Sequence, residues 1–111
     1  MYQVLRRSEQ KPSVNRTIAF EGEPYGSDVS LFLMDSPPGH GPVLHRHPYS
    51  ETWVVRSGEA EFTVDGETTR AGPGDIVVVG AQIPHRFVNV GEGRLDMVCI
   101  HASERFIQED L

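Results

Sequence analysis

The chain has 111 residues, a length that suits one domain spanning 1–111, and carries 16 acidic against 10 basic residues for a formal charge of −6. That balance argues against a nucleic-acid partner, whose phosphates are held by a basic surface, and the longest aliphatic run, Ile76 to Val79, is far too short to cross a bilayer. One cysteine, Cys99, fits a reducing compartment, and the N-terminal MYQVLRRSEQKPS has no apolar stretch behind its charges, so a cytoplasmic location is expected. Hydrophobicity alternates with a period of two almost throughout. Thr17 to Phe20 reads as an edge strand. Val29 to Asp35 (VSLFLMD) is the first clear strand, stopped by Ser36-Pro37-Pro38-Gly39. Val43 to His47 is short. Thr52 to Arg56 and Ala60 to Val64 flank a turn at Ser57-Gly58, and Asp65-Gly66 predicts a tight type I′ hairpin returning through Glu67 to Arg70. After the Gly72-Pro73-Gly74 turn come Ile76 to Val79, His85 to Val90 and Arg94 to His101. The one place for a helix is the tail from Ser103 onward. Short strands at this spacing predict an all-β sandwich or barrel, with its core at about 29–101.

The segment with chemistry in it is GHGPVLHRHPYSETWVVRSG, Gly39 to Gly58. His45 and His47 lie two apart on a strand and project from one face. Glu51 follows across Pro48, where a bend can return its carboxylate to the same point. His85 opens a later strand behind Pro84, which fixes the backbone just before it. Three imidazoles and a carboxylate form a ligand set for a borderline divalent ion. Taken alone, a histidine pair at this spacing is more often a surface or structural feature; the full pattern is what argues for a metal.

That pattern resembles the first motif of the cupin family, G-x5-H-x-H-x3-E-x6-G. Gly39, His45, His47, Glu51 and Gly58 occupy its fixed positions. The second motif, G-x5-P-x-G-x2-H-x3-N, is matched at Gly74, His85 and Asn89, with Gly80 in place of the proline and Gln82 in place of the inner glycine. The resemblance covers roughly Val29 to His101. It implies a single antiparallel jelly-roll barrel holding one divalent ion (Fe, Mn, Ni, Zn, Co or Cu) through His45, His47, Glu51 and His85, with Asn89 and the glycines structural. Because both departures fall in a turn, the ligands are little affected, but Gln82 is expected to take a positive φ unless Gly80 absorbs the strain.

Alternation places Trp53 on the face of Glu51, and Phe87 on the face of His85. With Phe62, Met97, Cys99 and Met34 or Leu33 these are candidates for an apolar pocket wall, or else they simply fill the barrel. Gln82 either points its amide at the pocket or only makes a turn. His40 is either a general acid or base at the mouth or a solvated loop residue. His101 shares the phase of Met97 and Cys99 and is expected to face inward as a structural histidine. The resemblance implies a small-molecule metalloenzyme, with a dioxygenase first, a non-redox isomerase, cyclase or lyase second and a non-catalytic ligand-binding cupin third. It also implies a homodimer joined through edge strands, with Phe106, Ile107 and Leu111 helping to cover the seam.

Overall fold

A computed structural model describes the whole chain, Met1–Leu111. It is built of ten strands: β1 (Ile18–Phe20), β2 (Ser30–Ser36), β3 (His45–Arg46), β4 (Glu51–Ser57), β5 (Ala60–Val64), β6 (Glu67–Ala71), β7 (Ile76–Val79), β8 (His85–Asn89), β9 (Leu95–His101) and β10 (Glu109–Asp110). All pairings are antiparallel. They form two five-stranded sheets, ordered β1-β2-β9-β4-β7 and β10-β3-β8-β5-β6. This is the all-β barrel expected from the periodicity and the jelly-roll arrangement that the resemblance implies, and no helix is long and apolar enough to cross a membrane.

The inward positions of the two sheets meet in a core of Trp53, Val55, Ala60, Phe62, Ala71, Val79, Phe87, Leu95, Met97 and Cys99. Trp53 stacks obliquely on Phe62 at a centroid separation of 4.8 Å. The registers Glu51↔His101 and His45↔His85 bring the polar ends of β4, β9, β3 and β8 to the same end of this core. That end becomes the site.

Turn chemistry follows the sequence closely. Asp65 and Gly66 both have positive φ (51° and 82°), which joins β5 to β6 in the tight hairpin their identities require. Gly58 has φ 86°, and a Cβ there would lie 2.6 Å from the Arg94 carbonyl oxygen, so only glycine fits beneath β9. Gln82 does adopt the left-handed conformation, φ 66°, and its backbone N–H donates to the His47 carbonyl at 2.7 Å. The strained turn is thereby tied to His47, just beyond β3.

The tail is where the structure departs from expectation. It is not helical. Phe106 stacks on Phe32 at 4.3 Å, and Glu109–Asp110 pairs with β3 while the Arg46 guanidinium grips the Glu109 carboxylate at 3.0 Å. Nine residues are too few to hold a helix against such tertiary contacts. Phe106, expected at a subunit seam, is committed to its own barrel.

Candidate metal centre

His45 sits on β3 and His47 just beyond it, Glu51 begins β4 and His85 begins β8. Their side chains are all buried, and one ligand atom from each lies within 4.8 Å of the other three. Glu51 Oε1 is 3.1 Å from His47 Nε2 and 3.3 Å from His85 Nε2. Atoms bonded to one ion at ~2.1 Å stand about 3 Å apart when adjacent, so these separations suit a shared ion.

The hydrogen bonds fix which ring nitrogens are free. His45 Nδ1 donates to the Val43 carbonyl (2.6 Å), His85 Nδ1 to Ile83 (2.8 Å) and His47 Nδ1 to Ile107 (2.7 Å). Each imidazole thus carries its proton on Nδ1 and turns its Nε2 lone pair inward, the tautomer a metal ligand needs. His47 Nε2, His85 Nε2 and Glu51 Oε1 are buried without a hydrogen-bond partner. Buried polar atoms are rarely left unpaired, and a cation at their centre satisfies all three. The residues fit a divalent ion.

A further chain of polar groups stands behind Glu51. The Ile107 N–H donates to the Tyr49 hydroxyl (3.2 Å), and that hydroxyl lies 2.7 Å from His101 Nδ1. With its oxygen accepting from Ile107, Tyr49 donates to His101 Nδ1, which leaves the His101 proton on Nε2. That nitrogen is 3.2 Å from Glu51 Oε2. Burial raises the pKa of the Tyr49 hydroxyl and so keeps it a donor. His101 is inward, as alternation implied. Its partner Tyr49 and the Ile107 peptide were not foreseen, because that contact joins residues 58 positions apart.

Charge is finely opposed here. Burial disfavours ionising Glu51, but the contacts from His101, His47 and His85 outweigh it and hold the carboxyl well below the usual range. For His47 burial favours the neutral ring, yet its Glu51 and Ile107 partners raise its pKa overall; for His45 burial prevails and lowers it. In metal-free protein, imidazole NMR resonances should therefore titrate above 6.5 for His47 and below it for His45. The signs then differ. His47 contributes stability fully present below its ordinary pKa and lost as pH rises through the raised value, whereas His45 costs stability as pH falls through its ordinary value. Metal must displace the His47 proton, so affinity falls as pH drops through that raised pKa. Equal midpoints for the two rings would refute this assignment.

The ligands open onto a cavity of about 310 Å³, lined by Phe32, Met34, Phe87 and Cys99 on its apolar side and by His40, Ser36, Thr17, Asn15 and Gln108 on its polar side, with Asp35 at the edge. His45, Glu51 and His101 reach it directly. Of the residues proposed for the wall, Phe87, Met34, Cys99 and His40 are there. Trp53, Phe62 and Met97 are not; each is completely buried in the core. Gln82 is an exposed turn residue. Phe32 alternates with Leu31 and Leu33 on β2, and its inward phase was legible once Met34 was placed. Gln108 arrives from the tail and carried no signal. Burial pushes the Cys99 thiol well up, so it stays protonated.

Residues 32–101 match the Cupin domain family. The chain is a cupin. This cupin is 37% identical over 67 residues to dimethylsulfoniopropionate lyase DddQ of Ruegeria pomeroyi, a match covering 59% of this chain and 33% of that protein. It is 39% identical over 62 residues to polyketide synthase CurC of Streptomyces cyaneus, covering 55% and 40%. Alignments therefore span well under half of either relative. Among solved structures, a mutant of the oxalate decarboxylase of Bacillus subtilis superposes with a TM-score of 0.82 at 25% identity over 96% of this chain and 31% of that one. The oxalate decarboxylase of Lactobacillus farciminis in its formate complex does so with 0.81 at 22%, covering 94% and 34%, a likeness of fold.

Proposed function

We propose that this cupin is a mononuclear metalloenzyme that acts on a small oxygen chelator with an apolar body, at most singly charged, in a bond-breaking reaction of the lyase class. The observation that carries the reading is that the ligand set opens into a cavity of about 310 Å³ whose wall holds no lysine or arginine. Asp35, the one lining carboxylate besides Glu51, is already paired with Arg16 and Arg94, so a bound anion would find its charge partner at the ion and not in the wall. A molecule offering one carboxylate or enolic oxygen, with its body along Phe32, Met34 and Phe87, satisfies the wall. A divalent ion held by His45, His47, Glu51 and His85 would supply Lewis acidity at that oxygen. His40 stands at the mouth with an imidazole suited to moving a proton. The partial identity with DddQ supports the lyase class, and that with CurC supports a small organic substrate.

The second reading is dioxygenation, favoured by the two aromatic rings, Phe32 and Phe87, at a site with room for a chelating aromatic. The two separate in one experiment. Protein is purified without added metal, its metal content measured, and oxygen uptake followed beside product formation with a panel of β-substituted monocarboxylates and catechol-like chelators. Elimination without oxygen uptake, abolished by a metal chelator, is expected. Metal-dependent oxygen consumption with a catechol-like compound would transfer the assignment to the dioxygenase, and the absence of any metal-dependent turnover would leave a binding module.

A further inference from the structure

Two strands measure how far the cavity runs from the ligands. On β2, Ser30 lies level with His101 of the neighbouring strand and Ser36 with Leu95. Phe32, whose ring is 5.5 Å from that of His101, borders the cavity at the ligand end. Asp35 and Ser36 border it three and four residues further on, roughly 10–13 Å at the rise of a strand. The other sheet gives a matching span. There β8 begins at the ligand His85 and ends at Asn89, whose side-chain amide donates to the Ser36 carbonyl at 3.0 Å. The cavity therefore has two ends, one at the ligands and one at Asp35 and Ser36. Asn15 and Thr17 border it as well, in the segment ahead of β1, and they are held from several directions. Thr17 Oγ1 donates to the Asp35 carbonyl (3.2 Å) and accepts from the Asp35 N–H (3.1 Å). Arg94 donates to the Asn15 carbonyl (3.0 Å) and to the Asp35 carboxylate, which Arg16 also meets at 3.5 Å. Arg16 itself takes a left-handed backbone, φ 69°, which a non-glycine residue keeps only where its surroundings over-determine it.

These contacts leave one side chain unspent. Thr17 has both of its hydroxyl bonds made, Asp35 is paired with two arginines, and the Ser36 hydroxyl donates to the Pro37 carbonyl. The half-buried Asn15 carboxamide has no hydrogen-bond partner in the chain, although its own carbonyl is pinned by Arg94. We propose that Asn15 is a specificity-determining residue, receiving a neutral hydroxyl or primary amide at the end of the substrate remote from its metal-binding oxygen. The inference rests on the chelating, apolar-bodied substrate put forward above and adds a second head to it. A carboxamide offers donor and acceptor together, and a hydroxyl or an amide returns both. A terminal carboxylate returns acceptors alone. An alkyl end strips water from the carboxamide and returns nothing, the costly case for a polar group. Between the two heads, Met34 and Phe87 stand at the middle of β2 and β8 against the apolar body.

The test uses the full chain loaded with Co(II) and three acids of one length, 8-hydroxyoctanoate, octanoate and octanedioate. Isothermal titration gives each affinity, and the Co(II) visible spectrum reports whether the acid reaches the ion. All three should shift the spectrum. The hydroxy acid should bind about tenfold tighter than octanoate, the worth of one neutral hydrogen bond, and octanedioate no tighter than octanoate. A short pair checks the span: 4-hydroxybutyrate should gain nothing over butyrate, because its hydroxyl stops before Asn15. In Asn15→Leu the tenfold preference should vanish while octanoate still binds and still shifts the spectrum, which a variant that had lost its fold would not do. Spectral shifts with equal affinities for 8-hydroxyoctanoate and octanoate, tightest binding by octanedioate, or a preference that survives Asn15→Leu would each overturn the proposal and leave the chelator reading standing. No spectral shift with any of the acids would overturn both.

Discussion

Glu51→Gln or His85→Ala will reduce the metal content of the purified protein from stoichiometric to background while leaving the barrel folded. The carboxylate is the one anionic ligand, and its Oε1 stands within 3.3 Å of two imidazole nitrogens that have no other partner. Converting it to an amide keeps its shape and removes the charge that offsets the ion. His85→Ala removes a nitrogen and opens a hole beside Trp53, whose ring packs edge-on against the imidazole at 5.2 Å. Either loss should exceed the ~10–100-fold drop in affinity that follows when an outer partner of a ligand is removed. The fold should survive, because Val55, Phe62, Leu95 and Met97 of the core lie beyond the site and only Trp53 borders it. The check is elemental analysis beside far-UV circular dichroism. Unchanged metal content in both variants would mean that the ion, if present, binds elsewhere.

How much of this was legible beforehand depends on the range of the interaction. Three of the ligands were readable because their spacing is local, with His45 and His47 two apart and Glu51 four residues on, whereas His85 was found through the second motif; the hairpin at Asp65-Gly66 is dictated by those two residues and the left-handed Gln82 by the motif glycine it replaces. Wall residues were harder. Alternation says that Trp53, Phe62, Met97 and Phe32 all point inward, but not which inward side chains meet each other and which border empty space. Trp53, Phe62 and Met97 lie toward the middle of their strands and close upon one another, whereas Phe32 sits on β2, next to the edge strand, and borders the cavity together with His40, Gly41 and Pro42. The tail was illegible for a different reason. Its amphipathic look over Ser103 to Leu111 invites a helix, and only the finished barrel offers the bare carboxylate of Glu21 for the Phe106 N–H (3.0 Å) and the ring of Phe32 for its side chain.

That tail yields the second large effect. Deleting residues 106–111 should lower metal affinity by about 10–100-fold even though no ligand is removed. The Ile107 peptide serves two ligands at once. Its carbonyl accepts the Nδ1 proton of His47 and so fixes the tautomer and tilt of that ring, while its N–H sets the Tyr49 hydroxyl that orients His101 beside Glu51. Without it, His47 is free to rotate and to carry its proton on Nε2, where it blocks the ion. Ile107→Pro separates the two roles, because proline keeps the carbonyl and lacks the N–H. It should reproduce only the part of the loss that runs through Tyr49, as should Tyr49→Phe, and combining those two should add little further since they break one chain. Leu111→Ala, at an exposed position outside this network, serves as the control. Isothermal titration with Mn(II) or Co(II) measures each affinity, and the Co(II) visible spectrum reports whether the ligand geometry has changed. A deletion variant that binds as tightly as the full chain, with an unaltered spectrum, would show that the barrel alone orients His47 and that the tail's contacts are incidental.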